Sequence, residues 1–97
     1  MGYATKRTKS SGDQGIDVVA QKNNTIIGIQ TKCYGGSVGN TAVQEAVAGK
    51  NYYGCNKIIV VTNNYFTSAA IELAKVNNVV LWDRTILKDK INEFLNK

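Results

Sequence analysis

Asp17, Gln30 and Lys32 are the residues of this sequence whose types and spacing best suit a chemical role. They belong to two short apolar runs, residues 16–21 (IDVVAQ) and residues 25–32 (TIIGIQTK). The runs predict a β-hairpin with Asn23-Asn24 at its turn, since Asn tolerates the positive φ that a two-residue turn requires. In that register Asp17 faces Gln30, and Lys32 shares their face of the sheet because it follows Gln30 by two positions. A slip of one residue would scatter the three side chains.

A carboxylate, an amide oxygen and an ammonium group close together suit the hydrolysis of a phosphodiester with a divalent cation. Asp17 would supply charge to the cation, and the side-chain oxygen of Gln30 with the carbonyl of Thr31 would add ligands that Mg²⁺ accepts. Lys32 would orient or deprotonate the attacking water, or offset charge that develops on the phosphate. The competing interpretation is structural, with Asp17 and Lys32 forming a salt bridge on a solvated strand face. Spacing alone leaves both interpretations open.

The remaining pattern predicts a mixed α/β sheet that would carry this hairpin. Strands are predicted over residues 2–8, 16–21, 25–32, 57–62 and 79–82, and helices over residues 41–53, 67–76 and 85–95. Thr41 and Gln44 match a capping box at the start of the first helix, and Thr67 is the predicted N-cap of the second. The order β-β-β-α-β-α-β-α predicts helices packed on a mixed sheet.

The predicted core lies on the face of the hairpin away from Gln30 and Lys32. Ile27, Ile29 and Thr31 occupy that face because they alternate with the polar positions. Trp82 and the apolar stripe of the last helix are also expected in the core. The stripe consists of Ile86, Leu87, Ile91, Phe94 and Leu95.

Composition narrows the classes of function. The chain has 97 residues, with 12 Lys and Arg, 7 Asp and Glu, and no His, so we expect one domain spanning residues 1–97. The absence of His excludes Ser-His-Asp and Cys-His nucleophilic sites and imidazole zinc sites. The net charge of +5 favours a polyanionic partner. Cys33 and Cys55 form no CxxC pair, and no apolar run reaches the roughly 20 residues that span a bilayer, so we expect a cytoplasmic protein.

Four segments of the sequence resemble the Mrr-type restriction endonuclease domain, a branch of the PD-(D/E)xK nucleases. They are SGDQGIDVVA, IGIQTKCY, VGNTAVQEAVAGK and IIVVTNNYFTSAAIELAKVNNVVLWD, which cover nearly the whole chain in the family's order. The resemblance implies a restriction-endonuclease-like fold and a Mg²⁺- or Mn²⁺-dependent DNA endonuclease of the restriction type, with modified DNA as one candidate substrate. It also implies that the Asp of the GxD element is Asp17, that the E/Q position is Gln30 and that the Lys is Lys32.

The sequence departs from the family pattern in two respects. Gln30 leaves the site with one fewer negative charge than the acidic version, although the Mrr branch resembles this sequence in carrying Gln there. Family members usually begin with a helix before the first strand, and this sequence starts at about that strand. We therefore expect an excised or truncated catalytic domain without its N-terminal helix, with a homodimer and a separate DNA-recognition domain in a longer parent protein as open alternatives.

Further candidates surround the predicted centre. Asp13 and Glu45 are accessory candidates for the metal site, although a loop Asp more often stabilises a turn. The loop of residues 62–65 (TNNY) follows a buried strand, where α/β sheets often bind anions, but ordinary loop chemistry explains it equally well. Candidate DNA contacts are Lys6, Arg7, Lys9, Tyr34, Gly36 and Ser37. A solvated charge cluster is the competing interpretation of the basic residues among them.

Two other functions stay open at this point. One is a DNA-binding module with a degenerate or incomplete nuclease site, which Gln30 and the lacking first helix would explain. The other is a small α/β interaction domain whose basic charge is incidental.

Overall fold

The computed structural model of the chain describes residues 4–7, 18–32 and 36–96, the first range as backbone. The elements follow the predicted order. They are β1 (Ala4–Arg7), β2 (Val18–Lys22), β3 (Thr25–Lys32), α1 (Asn40–Tyr53), β4 (Lys57–Thr62), α2 (Ser68–Val76), β5 (Val79–Trp82) and α3 (Arg84–Leu95). Strands β3, β4 and β5 have the predicted bounds, and each helix begins within one residue of its predicted start.

The strands form one five-stranded sheet in the order β1-β2-β3-β4-β5. β1, β2 and β3 pair antiparallel, whereas β4 and β5 run parallel to β3. The β2–β3 hairpin has the predicted register, with Val18 opposite Ile29, and Asn23 adopts a φ of 55° at the turn. The predicted pair of Asp17 and Gln30 lies outside the described residues. Because β3, β4 and β5 are parallel, their carboxyl ends lie at one edge of the sheet.

The core lies on the face of β3 that carries Gln30, so the predicted assignment of the two faces is wrong. Gly28 and Gln30 are buried, whereas Ile27 and Ile29 are half-buried and Thr31 is exposed. The main core combines residues of α1, α2, β4 and β5, namely Val43, Ala46, Ile58, Val60, Ala70, Ala74 and Val79. α1 contacts β3 and β4, α2 contacts β5, and the two helices contact each other, so both lie on the same face of the sheet. Their position, and not the alternation along β3, therefore decides which face of β3 is buried.

α1 begins without the predicted side-chain cap. Gly39 occupies the N-cap position and makes no side-chain hydrogen bond, so Thr41 lies inside the first turn and the predicted capping box with Gln44 is wrong. The reason lies just upstream, where Val38 pairs with Phe66 in a short parallel bridge. The bridge holds the backbone extended up to Val38, and the helix begins directly after Gly39.

The other two helices begin at side-chain caps. The hydroxyl of Thr67 accepts a 3.1 Å hydrogen bond from the N–H of Ala70, which confirms the predicted cap of α2. The carboxylate of Asp83 accepts a 3.0 Å bond from the N–H of Ile86, so α3 begins one residue before its predicted start. Both caps satisfy N–H groups that have no partner within the helix.

Contacts of Val38 fix the start of α1 beside the end of β4. Its N–H donates to the carbonyl of Tyr65 at 2.9 Å, and its carbonyl accepts from the N–H of Thr67 at 3.0 Å. Val38 is also fully buried. The first turns of α1 are therefore held at the sheet edge where β3 and β4 end.

α3 contacts β4 and β5 but buries none of its residues, so the prediction that its apolar stripe lies in the core is wrong. Phe94 and Leu95 are 68% and 70% exposed, while Leu87 and Trp82 are half-buried. The physical reason is that nothing within the described part of the chain packs on the outer side of α3. Among residues 4–7, 18–32 and 36–96, no helix combines the length and apolar content needed to cross a membrane.

Candidate active site

Gln30, Lys32 and Glu45 meet beside the carboxyl end of β3. The Oε1 atom of Glu45 lies 2.8 Å from the Nζ atom of Lys32. The same oxygen accepts a 3.4 Å hydrogen bond from the Nε2 atom of Gln30. Gln30 and Lys32 therefore share one face of the sheet, as predicted, and a carboxylate of α1 joins them.

Two periodicities bring these side chains together. Gln30 and Lys32 project from the same face of β3 because they are two positions apart. On α1, the buried residues are Ala42, Val43, Ala46 and Gly49. Glu45 flanks this stripe, three positions after Ala42, and so reaches the face of β3 below the helix.

The three residues differ widely in their exposure to solvent. Gln30 is only 2% exposed, whereas the side chains of Lys32 and Glu45 are 20% and 45% exposed. The attraction between Lys32 and Glu45 is therefore partly screened by water and contributes modestly to stability. Of the three side chains, that of Glu45 is the most exposed to solvent.

The loop after β4 lies next to this centre but has a structural role. Thr62 pairs with Lys32 in the β3–β4 register and is fully buried. Its hydroxyl accepts a 3.2 Å hydrogen bond from the N–H of Asn64. The side chain of Asn64 in turn accepts a 2.9 Å bond from the N–H of Tyr65. These bonds favour the interpretation of residues 62–65 as an ordinary ordered loop.

Some of the other predicted site residues lie in described segments of the chain, and others lie outside them. Thr31 is exposed on the opposite face of β3, so its carbonyl rather than its side chain is the group predicted as a cation ligand. Gly36 and Ser37 are exposed in the segment before α1, and Lys6 and Arg7 belong to β1. The predicted residues outside the described ranges are Lys9, Asp13, Asp17 and Tyr34.

Glu45 makes more contacts with the predicted centre than the sequence indicates. The sequence predicts only an accessory role for it, whereas the structure shows contacts with both Gln30 and Lys32. In the sequence, Glu45 follows Ala42 by one helical turn and flanks an otherwise apolar stripe, which indicates that it lies beside the buried face of α1. This position does not indicate which strand lies below the helix.

The oxygen atoms of Gln30 and Thr31 are of the kind that binds a hard divalent cation. The Gln30 amide oxygen and the Thr31 carbonyl are neutral oxygen donors, which Mg²⁺ and Mn²⁺ accept. Metals that prefer soft ligands such as thiolates do not favour them. Within the described ranges, no group of three or more His, Cys, Asp or Glu side chains could hold a metal ion. Asp17, outside those ranges, is the predicted carboxylate that would complete the set.

The mixed sheet, α1 and α2 on the face that carries Gln30, and the Gln-x-Lys pair at the end of β3 define a restriction-endonuclease-like domain. The solved structure of the MspJI restriction endonuclease in complex with a 27-mer oligonucleotide matches with a TM-score of 0.64 and 25% identity, over 89% of this chain and 22% of that chain. The crystal structure of the protein of unknown function AF1548 matches with a TM-score of 0.68 and 21% identity, over 84% of this chain and 50% of that chain. This chain thus corresponds to half or less of either matched protein.

The family itself is identified by sequence. The family model described as a restriction endonuclease, the Mrr catalytic domain, matches residues 1–91. The chain belongs to this restriction endonuclease family, and a nuclease-type function follows at that level. No curated protein matches the chain.

Proposed function

We propose that this chain is a metal-dependent DNA endonuclease domain that hydrolyses phosphodiester bonds. The observation that carries the proposal is the cluster of Gln30, Lys32 and Glu45 at the carboxyl end of β3. Membership of the restriction endonuclease family supports the reaction class. Modified DNA remains a candidate substrate within that class.

Each predicted residue has a distinct role in this proposal. Asp17, the amide oxygen of Gln30 and the carbonyl of Thr31 would hold Mg²⁺ or Mn²⁺, with Asp13 as an accessory ligand. When bound, the cation lowers the pKa of water and offsets phosphate charge. Lys32 would hold the attacking water by a hydrogen bond, and its ammonium would stabilise the negative charge that grows on the phosphate.

DNA is the proposed partner of the exposed side of the site. The structural neighbour MspJI was solved with an oligonucleotide, and the net charge of +5 favours a polyanion. Lys6 and Arg7 of β1, with Gly36 and Ser37 before α1, are the proposed contacts to the phosphate backbone, together with Lys9 and Tyr34. A homodimer would present one site to each strand, and a separate DNA-recognition domain in a longer parent protein would supply sequence recognition.

A plasmid-nicking assay tests the metal dependence of the reaction. The wild type should convert supercoiled plasmid to nicked or linear forms in Mg²⁺ and should not do so in EDTA. Asp17→Ala should lower the rate by about 100-fold or more, since a metal ligand is lost. Asp89→Ala, which alters an exposed carboxylate of α3, is the matched control and should cut at the wild-type rate.

The competing proposal is a DNA-binding module with an incomplete nuclease site. It draws support from the single carboxylate, Glu45, found in the cluster of described residues. It predicts salt-sensitive DNA binding without cleavage in Mg²⁺ or Mn²⁺ at any protein concentration. Cleavage that is equal in wild type and Asp17→Ala, or equal in Mg²⁺ and EDTA, would contradict the metal site of the first proposal.

A further inference from the structure

We propose that Glu45 is a positioning residue of the nuclease centre. It fixes the amide of Gln30 and the ammonium of Lys32, and it makes a hydrogen-bond donor at position 30 a requirement. The consequence for catalysis rests on the proposed function, whereas the positioning itself is a property of the folded chain.

A single oxygen atom links the two functional side chains. Glu45 Oε1 lies 2.8 Å from Lys32 Nζ and 3.4 Å from Gln30 Nε2. The nitrogen and oxygen of an amide are bonded to one planar carbon at a fixed angle, so the contact of the nitrogen with Glu45 determines where the oxygen points. The proposed cation ligand of Gln30 is thus oriented by the carboxylate of Glu45.

The ionised carboxylate can only accept hydrogen bonds, and this constrains its neighbour. Gln at position 30 offers an N–H donor to Glu45, whereas Glu at that position would offer a second acceptor. Two carboxylates would then face each other at hydrogen-bonding distance beside a single ammonium. Glu45 therefore gives a physical reason for the neutral residue in a motif position that takes either Glu or Gln.

The placement of Glu45 suits positioning better than stabilisation. Its side chain is 45% exposed, so the ion pair with Lys32 contributes little to stability. The backbone of Glu45 is nevertheless held firmly, because Ala42 and Ala46 on the same helix are buried and Val38 ties the start of the helix to the loop after β4. A fixed backbone allows one carboxylate to orient two partners.

Exchange of the two side chains tests the requirement for a donor at position 30. Gln30→Glu should slow DNA cleavage by about tenfold or more, as expected for directly interacting residues. The double variant Gln30→Glu/Glu45→Gln returns a donor to the pair and should cleave at least about tenfold faster than Gln30→Glu alone. A double variant no faster than Gln30→Glu would overturn the proposal.

The positioning contact has a readout that needs neither DNA nor a cation. In ¹⁵N-labelled protein, Glu45→Ala should shift the side-chain amide signals of Gln30, because their acceptor is removed. Glu72→Ala, which alters an exposed glutamate of α2, is the matched control and should leave those signals in place. Thermal unfolding of both variants checks that the fold is intact.

The outcomes separate this inference from the proposed function. Gln30 amide signals that are unchanged in Glu45→Ala overturn the positioning role, whatever the activity. If the wild type cuts no DNA, the proposed function fails, and the amide signals still decide whether Glu45 orients Gln30. If the wild type cuts, Glu45→Ala should lower the rate at saturating DNA, with little change in the DNA concentration that gives half of that rate. A rate equal to that of Glu72→Ala would also overturn the positioning role.

Discussion

At the scale of single residues, Gln30 is a polar side chain in a position that an apolar residue would fill without cost. It and Thr62 are the buried polar side chains among the described residues. Burying an amide is unfavourable unless it is hydrogen-bonded, and Glu45 supplies the acceptor. A hydrogen bond of this kind adds little net stability, so the amide fits the role of cation ligand that we propose for it.

Gln30→Met tests this view of the buried amide. Met has a similar volume, and Glu45 retains its ion pair with Lys32 when the amide is removed. We expect the free energy of unfolding to change by less than about 1 kcal/mol, while cleavage is lost with the ligand oxygen. Urea denaturation measures the first quantity, and a destabilisation above about 3 kcal/mol would mean that the amide is primarily structural.

Cys55 provides a residue-scale prediction about pH. Burial raises the pKa of its thiol, although the nearby positive charge of Lys50 lowers it in part. The thiol therefore stays protonated in the folded chain at neutral pH. Its stabilising contribution is fully present below the unfolded-state pKa and is lost as the pH rises from there through the higher folded-state pKa. In a Cys33→Ser background, Cys55 should react with a disulfide reagent at pH 8 at least about tenfold more slowly in the folded chain than in urea. Similar rates in the two states would show that the thiol is accessible.

At the scale of elements, the helices begin in two ways: α2 begins at a side-chain cap, whereas α1 begins after backbone hydrogen bonds to a neighbouring segment. Thr67 caps α2, whereas Thr41 lies inside α1 and makes no cap. Thr67→Ala should therefore lower the free energy of unfolding by about 1 kcal/mol. Thr41→Ala should change it by less than about 0.5 kcal/mol. Equal losses in the two variants, measured by urea denaturation, would contradict the observed cap positions.

Much of the element order could be predicted from the sequence because local signals specify it. The apolar run of β4, the Asn23-Asn24 turn and the Thr67 cap each depend on neighbouring residues alone. The cap of α1 could not be predicted, because a pairing between Val38 and Phe66 sets where that helix begins. The prediction of which face of β3 is buried is wrong for a similar reason. The position of α1 and α2 over the sheet selects that face, whereas the alternation within the strand does not.

The candidate site also depends partly on neighbouring residues and partly on contacts between distant parts of the chain. Spacing along β3 was enough to place Gln30 and Lys32 on one face. The contact of both with Glu45 depends on how α1 crosses that strand, which no periodicity in the sequence reports. The chemical roles of all the predicted site residues stay predictions, and Asp13 and Asp17 lie outside the described residues.

At the scale of the whole molecule, net charge and family point to the same partner. The chain carries 12 Lys and Arg against 7 Asp and Glu and belongs to a restriction endonuclease family. Phosphate contacts release counterions, so affinity for duplex DNA should fall linearly with salt on logarithmic axes. Fluorescence anisotropy with a labelled duplex at several NaCl concentrations, in Ca²⁺ or EDTA, measures this slope. An affinity that does not depend on salt would argue against binding through the phosphate backbone.

In the proposed reaction, Lys32 acts on the phosphodiester at the end of β3, and a comparison of cleavage rates decides whether it does. The single-turnover rate of plasmid cleavage in Mg²⁺, with DNA saturated by protein, is compared between wild type and Lys32→Ala. Lys57→Ala is the matched control, since Lys57 is exposed at the amino end of β4, at the opposite edge of the sheet. We predict a rate about 100-fold or more below wild type for Lys32→Ala, with Lys57→Ala at the wild-type rate. Equal rates for wild type and Lys32→Ala would contradict the claim.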